Sequence, residues 1–397
     1  MRAAAGRAMG MATVLRHLPR QQRMHRLPVA RLAELRDERV RATVRYAAEH
    51  VPYYRDLFRE QGIDPASIGG ADDLAELPLL SRRLVQAEPE RFRADNRAGR
   101  SALPFSTSGS TGTPVTVYRD RAALYANIAH SERERVLETR IIGKRFAYPV
   151  VQVMNPGGNE QRVQQFYAKT SFRPLRPRLH EVYVNDRIDD VVKAINRLRP
   201  LALRGFGTYL ELLFRTVLVR KLELRGPRVA VYGGDPMAAE TRQLVEEELG
   251  IPVLSRYSAA EAFKIGFLCE EGRAFHLHED LTHVRIVDEA GAPVPDGELG
   301  EVVVSDLVNR GGVVLNYRLG DLARIVGRGC DCGRTTQMLT GLEGRLNSFV
   351  TVDDGSVVHS TLIDRRIRRP GILRFQLEQL TERRFSLRLL LEDASAL

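Results

Sequence analysis

Residues 106–114 read STSGSTGTP, a short loop that crowds hydroxyl side chains around two glycines. The loop lies between the apolar stretches ALPF and VTVY, which predicts a strand–loop–strand connection and argues against a linker between independent units. Gly109 and Gly112 permit positive φ, so successive amide N–H groups can converge on one anion. Further donors come from the hydroxyls of Thr107, Ser108, Ser110 and Thr111. The loop therefore predicts a phosphate site, with a plain polar turn as the alternative, and it lacks the lysine of a Walker-type loop.

Strand-like and helix-like segments alternate from about residue 103 to residue 326. Such alternation is typical of an α/β fold with a largely parallel sheet. Residues 284–307 instead predict paired strands around glycine and proline turns, which is an antiparallel module added to the parallel core. Residues 33–92 are helical in pattern. The predicted fold class is therefore α/β, with a large N-terminal domain of mostly parallel sheets flanked by helices and an antiparallel β module.

Composition limits the protein class but does not identify it. The chain has 397 residues, 43% of them hydrophobic, which is enough to bury a substantial core. The formal net charge is +10, but only five lysines stand against 55 arginines, and acidic residues are interspersed among them. We interpret the excess of arginine as codon bias and not as a polyanion-binding surface, because the basic residues are scattered among acidic ones and only the net charge favours a nucleic-acid binder.

The N-terminus and the cysteines indicate the cellular compartment. Arg7, Arg16 and Arg20 interrupt every apolar run near the N-terminus, so a secretory signal is not predicted and residues 1–32 are expected to form a solvated or frayed basic extension. No apolar run approaches the roughly 20 residues that cross a bilayer. Three cysteines are too few for a disulfide framework, which favours a reducing cytoplasm.

Five motifs occur in a family-like order. STSGSTGTP resembles the phosphate loop of the adenylate-forming superfamily, which includes acyl-CoA synthetases, peptide-synthetase adenylation domains and luciferases. Downstream, VYGGDP (231–236), YSAAEA (257–262), YRLGDLARI (317–325) and GLEGRLNS (341–348) resemble its later motifs. Residues 44–85 look like the opening of the phenylacetate-CoA ligase-like and CapK-like branch. The resemblance covers about residues 33–380.

The resemblance implies ATP-dependent activation of a carboxylic acid to an acyl-adenylate, with release of pyrophosphate. Glu261 matches the family's Mg²⁺-binding glutamate, Asp321 the carboxylate that accepts hydrogen bonds from the ribose hydroxyls, and Arg345 the hinge-side arginine near ribose and phosphate. The adenine and ribose pocket is implied to include Gly233, Gly234, Asp235, Tyr257 and Ser258. Asp235 stands where glutamate is more usual in the family.

The acid-binding pocket is less sharply indicated. Its candidate residues are Tyr148, Phe206, Tyr209 and Ala259. These aromatic side chains favour an aromatic or medium-sized apolar acid, and ordinary core packing is the alternative for each of them.

Three cysteines and a histidine have the composition of a metal site. Cys269 precedes His276 by seven residues, and Cys330 and Cys332 follow in a glycine-rich turn. Three thiolates and an imidazole suit tetrahedral zinc, and the phenylacetate-CoA ligase-like branch often has such a cluster here. His278 is the rival ligand, and unrelated buried thiols are the alternative to a structural zinc.

Several residues depart from the family pattern. No lysine follows Lys264, although the family's lid domain normally supplies one, and Asn347 and Ser348 replace the acidic pair usual after the hinge. We therefore expect a basic extension at 1–32, an adenylation domain at 33–344 and a small, incomplete α+β lid at 345–397. The acyl acceptor is CoA, a carrier-protein thiol or an amine, and a homodimer is an option. The alternative is a nucleotide-binding, catalytically impaired homologue that serves as a partner or regulatory subunit.

Overall fold

A mixed sheet of eleven strands forms the centre of the protein, with helices packed against it. The computed structural model describes residues 2–107, 114–170, 177–271, 274–342, 349–351, 357–359, 367, 372–381 and 383–391. This architecture confirms the α/β prediction.

The helices begin and end at residues whose conformations fit those positions. Pro52 starts one helix at a position where its missing N–H costs nothing, and Gly62, Gly143 and Gly250 end helices in the left-handed conformation. The α-helices of the described ranges are α1 Arg2–Met24, α2 Val29–His50, α3 Pro52–Gln61, α4 Arg82–Ala87, α5 Arg97–Arg100, α6 Arg121–His130, α7 Glu132–Ile142, α8 Asn159–Thr170, α9 Ile188–Leu198, α10 Gly207–Val219 and α11 Ala239–Leu249.

The strands are short and rich in valine, as expected for strands buried on both faces. Those of the described ranges are β1 Leu103–Ser106, β2 Thr116–Arg119, β3 Pro149–Met154, β4 Arg178–Tyr183, β5 Ala202–Gly205, β6 Val229–Gly233, β7 Val253–Tyr257, β8 Gly266–Leu268, β9 Phe275–Leu277, β10 Thr282–Val287, β11 Gly300–Asp306, β12 Tyr317–Ile325, β13 Met338–Thr340, β14 Phe349–Thr351, β15 Val357–His359, β16 Ile372–Thr381 and β17 Arg384–Leu391.

The large sheet has a parallel half and an antiparallel half. Its strand order is β10-β11-β12-β13-β9-β8-β7-β6-β5-β3-β4. Strands β4, β3, β5, β6 and β7 are parallel, and every pairing from β7 to β10 is antiparallel. The two halves therefore meet at β7, whose carboxyl end leads into the YSAAEA motif.

Apolar side chains fill both faces of the parallel half. Val151 and Val153 belong to the cluster under α9, α10 and α11, whereas Val150 packs into a separate cluster with Tyr148. Successive strand residues point to opposite faces, so these clusters lie on the two sides of the sheet. A third and larger cluster joins α2 and α3 to the antiparallel half.

The N-terminal segment is an integral part of the structure. Helix α1 packs on α6 and α7, and a Cβ atom placed on Gly10 would lie 2.1 Å from the ring of Tyr125. The side chains of Gln21, Met24 and His25 are buried. The prediction of a solvated or frayed extension is therefore wrong for this helix.

The C-terminal residues that are described form two hairpins, β14–β15 and β16–β17. The domain boundary at 344/345 stays a prediction. No helix of the described ranges is long and apolar enough to cross a membrane.

Candidate active site

Strands β1 and β2 form an antiparallel frame around the predicted phosphate loop. The Thr107 N–H donates to the Val115 carbonyl over 2.9 Å, and the Val115 N–H donates to the Thr107 hydroxyl over 3.0 Å. This double contact closes the base of the loop and confirms the strand–loop–strand prediction. The remaining predicted phosphate ligands lie outside the described residues, namely Ser108, Gly109, Ser110, Thr111 and Gly112.

Glu261 lies at the end of the YSAAEA motif and is buried, with 4% of its surface exposed. Tyr317 is also buried, and its hydroxyl lies close enough to Glu261 to feel the charge of the carboxylate. Burial first, and then the Glu261 charge, raise the pKa of Tyr317 far above its ordinary value. Tyr317 therefore remains neutral beside the carboxylate.

A hydrogen bond joins the same two motifs. The Tyr257 hydroxyl, at the end of β7, donates to Asp321 Oδ2 on β12 over 2.8 Å. The Tyr257–Asp321 hydrogen bond and the Glu261–Tyr317 contact together hold YSAAEA against YRLGDLARI, although residues 263–316 separate the two motifs in sequence. We call these two contacts the double tie.

The loop between β7 and β8 has a further anchor that sequence reasoning missed. Arg119 on β2 donates to the Ala260 carbonyl over 2.8 Å and lies 3.9 Å above the ring of Phe263. Its guanidinium also pairs with Asp306 in a buried ion pair. Arg119 thereby contacts the chain on either side of Glu261, at the Ala260 backbone and at the Phe263 ring, and no local sequence pattern indicates these distant partners.

The VYGGDP motif lies against the start of α10. Gly234 has φ +85° and faces the ring of Phe206, a conformation that a residue with a side chain rarely adopts. Asp235 accepts hydrogen bonds from the Thr208 hydroxyl and, over 3.2 Å, from the Thr208 N–H at the first turn of α10. Asp235 thus behaves as a helix cap. A role of Gly233, Gly234 and Asp235 at the adenine stays a prediction.

The candidate acid-pocket residues do not all come together. Phe206 and Tyr209 share the cluster at α10, where burial raises the pKa of Tyr209 to about 12. Tyr148 lies in the cluster on the opposite face of the sheet, and its hydroxyl is held 3.0 Å from both Glu138 Oε1 and Arg204 Nη2. Tyr148 is therefore separated from Tyr209 by the sheet itself. Ser258 and Ala259 follow β7 in the loop that carries Glu261.

The predicted metal ligands do converge. One ligand atom from each lies within 4.8 Å of all the others, the four residues being Cys269, His276, Cys330 and Cys332. Cys269 Sγ and Cys330 Sγ are 3.5 Å apart, and Cys332 Sγ lies 3.2 Å from His276 Nε2. The other ring nitrogen, His276 Nδ1, lies 3.2 Å from the Thr336 hydroxyl, a typical arrangement for a metal-binding imidazole.

The rival ligand His278 is engaged elsewhere. Its Nε2 lies 3.1 Å from Glu134 Oε1, and its Nδ1 lies 2.9 Å from His25 Nε2 on the segment after α1. His276, and not His278, therefore belongs to the cysteine cluster.

A buried ionic network lies behind the site and was not predicted. Arg133 donates two hydrogen bonds to Asp280, of 2.6 and 2.9 Å, and Lys264 donates to Glu134 over 2.8 Å. The acidic residues of α7 look like surface residues in the sequence, and only the packing of α7 on the sheet shows that Glu134 and Glu138 are buried.

The chain was compared with protein-family models, with curated proteins and with solved structures. No protein-family model matches the chain. The phenylacetate-coenzyme A ligase of Thermus thermophilus is 27% identical over 342 residues, which cover 84% of this chain and 74% of that protein. Protein CapK of Staphylococcus aureus is 19% identical over 301 residues, covering 73% of this chain and 62% of that protein.

Among solved structures, 2-hydroxyisobutyryl-CoA ligase in the postadenylation state, in complex with R3-HIB-AMP, matches with a TM-score of 0.74 at 20% identity. The match covers 94% of this chain and 80% of that one. The fold of the chain is that of this ligase. In sequence the chain is similar to phenylacetate-coenzyme A ligases and to CapK, which together with the ordered motifs indicates the phenylacetate-CoA ligase-like branch of the adenylate-forming superfamily.

Proposed function

We propose that the protein uses ATP to convert a carboxylic acid into its acyl-adenylate, releases pyrophosphate, and then transfers the acyl group to coenzyme A. The observation that carries this proposal is the double tie. It holds the motif of the glutamate against the motif of the aspartate, and Arg119 on β2 connects the frame of the phosphate loop to the same β7–β8 loop. Relatives named as phenylacetate-coenzyme A ligases support the same activity.

The reaction needs negative charge to be stabilised on phosphate oxygens. A carboxylate oxygen attacks the α-phosphorus of ATP, the bond to the bridging oxygen breaks, and pyrophosphate leaves with the electron pair. N–H and O–H donors of the loop that begins at Thr107 would hold the phosphates in position. Arg345, which lies outside the described residues, would act on the same groups.

Glu261 fits the role of a Mg²⁺ ligand, because it offers a buried carboxylate in the motif whose glutamate the family resemblance assigns to the metal. The ion would supply charge neutralisation to the departing pyrophosphate. Asp321 would accept hydrogen bonds from the ribose hydroxyls, with Tyr257 holding the carboxylate in place.

The Cys₃His cluster fits a structural zinc ion. Its donor set is the one that zinc prefers, and Thr336 orients His276 from behind. Such an ion would join the β8–β9 hairpin to the turn that follows β12.

Phe206 and Tyr209 are the better placed candidates for the acid pocket, because they lie beside the VYGGDP motif. An aromatic acid fits these two side chains. We do not include Tyr148 in this pocket, since the sheet lies between it and α10.

Product analysis tests the proposal. The protein is incubated with ATP, Mg²⁺ and a panel of aromatic and aliphatic acids, with and without CoA, and acyl-AMP and acyl-CoA are measured by mass spectrometry. We expect acyl-AMP without CoA and acyl-CoA with it. Acyl-AMP that reacts only with a carrier-protein thiol or an amine would overturn the choice of CoA. Nucleotide binding with no product from any acid would favour the impaired, regulatory alternative.

A further inference from the structure

A small cavity lies between β2, α6, the β7–β8 loop and the start of β10. Its volume is about 20 Å³. A bound water molecule needs roughly 10–15 Å³ of such space, so the cavity has room for water and is far too small for a nucleotide. The ring of Phe263, two residues after Glu261, forms part of its wall. The cavity therefore borders the loop that carries Glu261.

Three side chains that line the cavity carry buried polar atoms without a protein partner. These atoms are Arg119 Nε, Asn127 Oδ1 and His130 Nε2, and none of them has a hydrogen-bond partner among the described residues. Arg119 and His130 are almost completely buried, with 3% of the surface of each exposed. An unsatisfied buried polar atom destabilises the folded state, and ordered water is a common partner of such atoms in proteins. The lining of the cavity thus calls for a polar ligand.

The three atoms together require a ligand that both accepts and donates hydrogen bonds. Arg119 Nε carries a hydrogen and can only donate. Asn127 Nδ2 donates to the Tyr167 hydroxyl over 2.6 Å, which leaves Oδ1 as an acceptor. Burial first, and then the Arg133 charge, lower the pKa of His130 well below its ordinary value, so its imidazole is neutral and Nε2 can accept. One donor and two acceptors are the complement of a water molecule.

The charges around the cavity favour a neutral ligand over an ion. Arg119 forms a buried ion pair with Asp306, and Lys264 donates to Glu134 over 2.8 Å. Each of these two cations therefore already faces a carboxylate, and an anion such as chloride would lack a countercharge of its own. A bare cation would face the N–H of Arg119. Water meets neither penalty.

A ligand at this position would connect α6 to the β7–β8 loop. Asn127 and His130 lie three residues apart on α6, and therefore on the same face of that helix. Arg119 donates to the Ala260 carbonyl over 2.8 Å and lies 3.9 Å above the ring of Phe263. A molecule held by all three cavity side chains would complete the hydrogen bonds of Arg119 and so support both of its contacts with the loop.

We propose that the cavity is a binding site for an ordered water molecule, which accepts a hydrogen bond from Arg119 Nε and donates to Asn127 Oδ1 and His130 Nε2. This water is a structural part of the support of the β7–β8 loop. The inference does not rest on the proposed function, because the site holds its water whether or not the protein forms an adenylate.

A high-resolution crystal structure of the wild-type protein tests the site directly. We expect a density peak for water within hydrogen-bond distance of all three atoms. Crystals grown with bromide in place of chloride distinguish water from an anion, because bromide has an anomalous signal. An anomalous peak in the cavity, or no density at all there, would overturn the proposal.

His130→Phe gives an independent test in solution, because it removes Nε2 and keeps a ring of similar size. If water is bound, this variant loses a hydrogen bond, and the folding equilibrium constant should fall by about three- to tenfold at pH 7.5. If the cavity is dry, the variant removes an unsatisfied polar atom, and stability should rise. His17→Phe is the matched control, since the His17 ring lies 5.8 Å from that of His130, outside the cavity lining, and this change should have little effect.

Hydrogen exchange tests the link to the loop. The amides of residues 259–265 should exchange at least about threefold faster in His130→Phe than in the wild type and in His17→Phe. Urea unfolding measures the stability of all three proteins. A His130→Phe protein that is more stable than the wild type, or whose loop exchanges at the wild-type rate, would contradict the water-supported loop.

Discussion

At the residue scale, Asp321 shows how one hydrogen bond can prepare a side chain for a ligand. Tyr257 donates to its Oδ2 over 2.8 Å and fixes the plane of the carboxylate. A carboxylate can accept several hydrogen bonds at once, so this contact is compatible with acceptance from two ribose hydroxyls. Asp321 is thus oriented for the proposed contact with the ribose.

We predict that Asp321→Asn weakens ATP binding by about tenfold or more, because an amide accepts less strongly and presents one donor to the ribose. It should also reduce the preference for ATP over 2′-deoxyATP. Calorimetry with both nucleotides measures these effects, and Glu298→Gln, on an exposed turn before β11, is the matched control. A variant that keeps both the affinity and the preference would remove Asp321 from the ribose site.

The sequence predicts individual residues well only where a local motif carries them. Tyr257, Glu261 and Asp321 belong to such motifs, and the structure brings these motifs into contact. Arg119 could not be predicted in the same way. Its partner Asp306 lies far away along the chain, and a single sequence contains no local sign of such a pair.

At the element scale, the cysteine cluster depends on three separate pieces of the antiparallel half. Cys269 follows β8, His276 lies on β9, and Cys330 and Cys332 lie in the turn after β12. A bound ion would therefore cross-link these elements directly.

We predict that the purified protein contains about one zinc ion per chain. The Cys332→Ser variant should lose this ion and unfold at a lower temperature.

The hydroxyl of Thr336, which contacts His276, should matter for zinc affinity. Thr336→Val removes this hydroxyl and should weaken zinc binding by about 10- to 100-fold, whereas Thr336→Ser keeps it and should behave as the wild type. Metal analysis and chelator titration measure both effects. A wild-type protein that contains no zinc and is unaffected by chelator would contradict the metal site.

Helix α1 shows why one element was misjudged from the sequence. Its many arginines interrupt the apolar residues, so the sequence of this helix resembles that of a solvated segment. The groups that anchor it act through partners far along the chain: Arg133 donates to Gln21 over 2.7 Å, and Thr335 donates to the His25 carbonyl. The strand and helix alternation of the core, by contrast, is a local pattern, and the sequence predicts it correctly.

At the scale of the whole molecule, buried ion pairs connect α7 to the centre of the sheet. Asp280 is paired with Arg133 and Arg39, and burial alone would raise the pKa of Asp280, but these cations outweigh it and hold that pKa well below its usual value. Burial, followed by the Arg133 charge, lowers the pKa of His130. Both groups therefore bind fewer protons in the folded state than in the unfolded state.

We predict that the free energy of unfolding falls as the pH is lowered, because the unfolded state takes up protons that the folded state excludes. The loss should begin below about pH 6.5, where unfolded histidine is protonated, and steepen below about pH 4, where unfolded aspartate is protonated. Urea unfolding between pH 7.5 and pH 3.5 measures it. Stability that stays constant or rises over this range would contradict the prediction.

The same network should make single substitutions costly. We expect Asp280→Asn to lower the free energy of unfolding at pH 7 by about 3–5 kcal/mol, since it leaves Arg133 buried without a countercharge. Glu34→Gln, which breaks an exposed pair with Arg31, should cost less than about 1 kcal/mol and is the control.

Adenylate formation is tested most directly by exchange of labelled pyrophosphate into ATP, because exchange requires the adenylate to form and to reverse on the protein. The wild-type protein should incorporate label only when Mg²⁺ and a carboxylic acid are both present, and omission of either should stop it. Labelling that does not depend on any acid, or no labelling with any acid of the panel while ATP still binds, would contradict the assignment of this protein as an adenylate-forming ligase.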